Sequence, residues 1–64
     1  MSHMSQLSQV ELQSLRHLIG SHENSAQKLE IYAQQATDPQ IKSYFEKSAR
    51  DAQQTKQKLM SFLN

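Results

Sequence analysis

Apolar residues recur along this chain at alternating spacings of three and four, in two stretches divided by a short polar string. The first stretch runs Leu12, Leu15, Ile19, His22, Ala26, Leu29, Ala33 and Ala36, with Leu18 and Tyr32 widening it on one flank. That spacing places its members on one side of an α-helix. The second runs Ile41, Phe45, Ser48, Ala52, Thr55, Leu59 and Phe62, flanked by Tyr44, Ala49 and Leu63. Both stretches therefore predict long amphipathic helices.

Start signals frame each helix. In Leu7-Ser8-Gln9-Val10-Glu11-Leu12, Ser8 and Glu11 stand at capping-box spacing, with Leu7 and Leu12 placed as a hydrophobic staple around them. In Ala36-Thr37-Asp38-Pro39-Gln40-Ile41, Thr37 and Gln40 repeat the box and Ala36 and Ile41 the staple. Alternatively Asp38 is the cap and Pro39 the first helical residue, where its missing N–H removes no helical hydrogen bond. The predicted elements are a helix from about residue 8 to 36, a turn at about 37–39 and a helix from about 39 to 63. Gly20-Ser21-His22-Glu23-Asn24-Ser25 is a run of poor helix formers, and Gly20 alone costs about 1 kcal/mol against alanine. Because Ile19, His22 and Ala26 keep one phase across that run, the first helix is read as continuous, roughly 40 Å long.

So short a connection makes the helices antiparallel neighbours at the shallow crossing angle of bundle and coiled-coil packing. The fold class is all-α, an antiparallel two-helix hairpin. Its apolar stripes are wider than one partner helix needs. Small residues such as Ala26, Ala33, Ala49 and Ala52 permit close backbone approach, while Leu18, Tyr32, Tyr44 and Leu63 are left to pack across a further seam. A homodimeric four-helix bundle is the simplest closed arrangement. The expected core and dimer interface comprises Leu12, Leu15, Leu18, Ile19, His22, Ala26, Leu29, Tyr32 and Ala33 from the first helix, with Ile41, Tyr44, Phe45, Ala49, Ala52, Leu59, Phe62 and Leu63 from the second.

Composition sharpens this reading. A chain of 64 residues lies where a single core is marginal without a disulfide, a metal or oligomerisation. It has no cysteine, which removes disulfides and thiolate metal sites. Seven Lys and Arg against six Asp and Glu give a net charge of +1 with the signs interspersed. Nucleic-acid binding, which draws on clustered positive charge, is not expected. No apolar run approaches the roughly 20 residues that span a bilayer, and no signal peptide is read at the start. Met1-Ser2-His3 before Met4 reads as a cloning scar, leaving residues 4–64 as one domain.

Candidate chemistry is sparse. His22 is an imidazole at an inward position and needs a hydrogen bond, a counter-charge or a metal; Thr55 is its expected partner. His17 points outward and cannot chelate with it. The chain has no Glu-x-x-His of the kind that builds di-metal sites in bundles, and the one candidate metal grouping is His22 with Glu23, supported by Asp51 across the hairpin. No glycine-rich phosphate loop or nucleophile with its base is present. No cofactor and no enzymatic activity are expected.

The string Leu7-Ser8, Glu11-Leu12, His22-Glu23, Lys28, Tyr32-Ala33, Asp38-Pro39-Gln40-Ile41-Lys42, Ala49, Leu59, Leu63 resembles the small ferritin-like spore coat proteins of the coat protein F family. The most specific piece is Tyr32-Ala33 followed by Asp38-Pro39-Gln40-Ile41-Lys42. The resemblance implies a non-enzymatic structural protein of sporulating bacteria, located in the spore coat or the sporulating-cell cytoplasm. It also implies a half-bundle completed by pairing, with other spore coat proteins as partners. Members often carry histidines near the positions of Ala52, Gln53 and Thr55, which this chain lacks. The alternatives are a reduced ferritin-like metal binder using His22 and Glu23, and a regulatory adaptor that docks a partner helix.

Overall fold

A computed structural model describes residues 7–63 as two α-helices in antiparallel contact, α1 (Gln9–Gln35) and α2 (Pro39–Ser61), with no strand among the described residues. The residues read as a cloning scar, and Met4 with them, lie outside the described residues.

Helix α1 begins where its side chains can satisfy the orphan N–H groups of a first turn. The Ser8 backbone N–H donates to the Glu11 carboxylate at 2.9 Å, and the Glu11 N–H donates to Ser8 Oγ at 3.1 Å. The capping box is thus complete in both directions. The helix then passes through Gly20 without a break, because the seam on either side of it keeps its phase. Extended backbone at Ala36 ends it, and the Ala36 N–H reaches back to the Ala33 carbonyl at 3.4 Å.

Helix α2 is capped by Asp38 rather than Thr37. One carboxylate oxygen of Asp38 accepts from the N–H of Gln40 at 2.8 Å and of Ile41 at 3.2 Å, while its backbone carbonyl accepts the first helical bond from Lys42 at 2.9 Å. A carboxylate at this end also meets the positive end of the helix dipole. Pro39 occupies the first helical position, where its fixed φ fits the helix and its absent N–H leaves no donor unsatisfied.

The seam between the helices is thin. Only Ala26, Ala33 and Ala49 are buried, and no large side chain is fully enclosed among the described residues. Leu12, Leu15, Ile19, His22, Leu29 and Ala36 are half-buried along α1, in the phase the sequence pattern predicts. On α2 the half-buried and buried positions are Phe45, Ser48, Ala49, Ala52, Gln53, Lys56 and Leu59, continued past the helix by Leu63. This seam is turned from the expected stripe: Ile41, Thr55 and Phe62 are exposed, and Ala49 and Lys56 take inward places. The molecule measures 47 × 19 × 11 Å, one helix thick and two wide, since a helix with side chains is about 10–12 Å across. Its radius of gyration of 14.7 Å exceeds the roughly 11 Å of a compact globule of this length.

Candidate interaction surface

Lettering the repeat so that the seam residues are a and d separates the rest of the hairpin into two unlike sides. In an antiparallel pair the two e columns lie together on one side of the seam and the two g columns on the other. On the e side lies an open groove of about 750 Å³ whose floor holds the buried Ala33 and Ala49. Glu30 and Gln34 of α1 line it opposite Lys42, Glu46, Arg50 and Gln53 of α2. Two acids and two bases share one polar trough, which water solvates without a core being needed.

One residue joins that polar side to the seam. Lys56 occupies an a position with its side chain only 17% exposed, and its ammonium reaches Glu23 of α1 at 3.7 Å. The methylene stem covers the seam while the charged end leaves it, the usual behaviour of lysine beside apolar surface. The sequence pattern gave no weight to Lys56; the signal was the run Ala49, Lys56, Leu63 at intervals of seven.

The g side is different in kind. It carries Glu11, Leu18, Ser25 and Tyr32 on α1, and Ile41, Ser48, Thr55 and Phe62 on α2, and Glu11, engaged in the cap of α1, is the one charged residue in these columns among the described residues. Leu18, Tyr32, Ile41 and Phe62 are from 37% to 48% exposed, large apolar groups left in water by the hairpin alone. Near the turn the Tyr32 ring crosses to Phe45 of α2 at a centroid distance of 6.0 Å, and Tyr44 flanks Phe45 at 6.5 Å, both tilted by 55°. Tilted contacts of this kind suit the ring quadrupoles. Val10, Ile31 and Met60 are exposed elsewhere on the surface and join no common stripe with these residues.

The metal candidates are not assembled. His22 Nδ1 donates to the Leu18 carbonyl one turn back at 2.8 Å, so its partner is its own helix and not Thr55, which is exposed. Glu23 faces Lys56. Asp51 lies on the outer surface of α2 and pairs with Lys47 at 3.4 Å. The described residues hold no grouping of three or more His, Cys, Asp or Glu side chains. Among them too, no helix is long and apolar enough to cross a membrane.

The chain thus offers a partly apolar face, charged only at the capping residue Glu11, on one side of a thin hairpin and a polar groove on the other. Comparison with protein-family models, with curated proteins and with solved structures gives no match, so a functional reading rests on these two faces.

Proposed function

We propose that this chain is a non-enzymatic assembly protein that works by helix-to-helix self-association, two hairpins forming a four-helix bundle. The observation that carries the reading is the mismatch between a seam with only three buried alanines and the large apolar side chains left exposed beside it. A chain this small gains little from its own core, and a second layer would remove Leu18, Tyr32, Ile41 and Phe62 from water. Burying a side chain of that size contributes about 1.5–3 kcal/mol. The polar groove would then face outward in each copy and meet other proteins.

The setting proposed for this assembly is the bacterial spore coat or the cytoplasm of the sporulating cell. Its support is the segment Tyr32-Ala33 and Asp38-Pro39-Gln40-Ile41-Lys42, through its resemblance to the coat protein F family. The partners would be further coat proteins.

Size-exclusion chromatography with light scattering tests the assembly. The expected mass at micromolar concentration is twice the 7.4 kDa of the chain; a compact, stably folded monomer overturns the reading. Affinity capture from sporulating and vegetative cells tests the setting. Coat proteins recovered only from the sporulating culture support it, and equal recovery from both removes the spore assignment while leaving the self-association in place.

A further inference from the structure

Past the capping residue Glu11, this face carries a pattern that reads the same from either end. On α1 the column past the capping residue Glu11 is Leu18, Ser25, Tyr32, and on α2 it is Ile41, Ser48, Thr55, Phe62. Each column is large at its ends and small in its middle. The first is centred on Ser25, and the second between Ser48 and Thr55.

The fold places the two centres side by side. Tyr32 contacts Phe45 and Glu23 contacts Lys56, which fixes the register of the two antiparallel helices. By that register Ser25 stands level with residues 52–54, within one turn of the centre of the second column. A single axis therefore serves both columns.

We propose that this face pairs with the same face of a second copy about a two-fold axis that crosses the helices at Ser25. The pairing rests on the self-association proposed above and specifies its geometry: α1 stacks antiparallel on α1 and α2 on α2, with the turn of one hairpin over the open end of the other. Leu18 meets the second copy's Tyr32, Ile41 meets its Phe62, Ser48 meets its Thr55, and Ser25 meets Ser25.

Three observations select a second copy as the occupant. The first is the reversal symmetry itself, which an isologous contact requires of its own surface and a foreign helix does not. The second is area, since a face 47 Å long and 19 Å wide presents on the order of 900 Å², against about 800 Å² per partner in a standard interface. The third is the match between side-chain size and helix crossing. Helices crossing at about 20° approach most closely at the crossing point, and about 10 Å along the axis they have shifted sideways by about 3–4 Å, which lengthens a separation of about 9 Å by less than about 1 Å. Serine and threonine stand at the crossing, where the approach is closest, and leucine, isoleucine, phenylalanine and tyrosine stand on either side of it, where the helices diverge.

Because the chain has no cysteine, one introduced thiol reports the geometry cleanly. Ser25 is exposed in the hairpin, so Ser25→Cys keeps the fold, and under mild oxidation it is expected to give a disulfide-linked dimer. Gln34→Cys, on the groove side, is expected to stay unlinked. Leu18→Lys is expected to weaken the dimer by on the order of thirtyfold, the scale of losing one interface anchor, with helical content at high protein concentration retained. Cross-linking through Gln34→Cys but not Ser25→Cys, or a dimer indifferent to Leu18→Lys, overturns the proposed face while leaving self-association standing. A monomeric wild-type chain overturns both.

Discussion

Ser8 and Glu11 each satisfy the other's backbone at the start of α1, and the exchange leaves a mark on the acid. The Glu11 carboxylate titrates below its ordinary value of 4.5, held down first by the Ser8 backbone N–H and then by the Ser8 hydroxyl. A carboxylate depressed in the folded state adds stability above its unfolded value and loses it as the pH falls through the folded one. Glu11→Gln keeps a side chain able to complete the box but does not titrate. The wild-type chain is therefore expected to exceed Glu11→Gln in thermal midpoint at neutral pH, with the gap closing as the pH drops below about 4.5; a gap that persists at pH 2–3 contradicts this. The box was plain in the sequence because both members lie within one turn. The partner of His22 was not, because a helical side chain leans toward the preceding turn, and the Leu18 carbonyl was nearer than anything on α2.

Helix α1 could be read in phase from its sequence and α2 could not, and the reason lies in the width of the apolar stripe. On α1 the a and d positions hold Leu12, Leu15, Ile19 and Leu29, four of the seven large aliphatic residues, and the other three are split between two columns, so one column pair stands out. On α2 the column at Ile41, Ser48, Thr55 and Phe62 is as apolar as the one at Ala49, Lys56 and Leu63. Sequence spacing shows that Phe45, Ala52 and Leu59 belong to both stripes, but it cannot say which neighbouring column meets α1. The deciding residue was Lys56, whose charge argued for solvent and whose stem lies in the seam. Gly20 belongs to this scale as well. A Cβ built there meets nothing within 4 Å, and its φ is not positive. Gly20→Ala is expected to stabilise the chain by about 1 kcal/mol, measured by urea unfolding followed by circular dichroism; a loss of stability would show that the helix needs its weakness there.

At the scale of the molecule the two helices are held by a thin seam in which one polar residue replaces an apolar one. Glu23 is half exposed beside Lys56, so removing the lysine strands no buried charge. Lys56→Leu is accordingly expected to stabilise the hairpin by on the order of 1 kcal/mol, as apolar replacements of inward ion pairs often do. The check is a chemical unfolding midpoint, and a destabilised variant would assign net stability to the Glu23–Lys56 pair. The fold class was legible throughout, since it follows from two helical periods and one short turn; the polar groove was not, since nothing local in the sequence marks which outward residues of two helices will share a side. Pro39 carries one more consequence. If the turn straightened, α1 and α2 would join into one rod, and two rods could exchange halves in a domain-swapped pair. That rod would carry Pro39 in its interior, where the ring meets the Gln35 carbonyl and a helical hydrogen bond is missing, a penalty of about 3 kcal/mol or more. The residue that opens α2 so easily thus keeps each chain folded back on itself, and any assembly is built from closed hairpins.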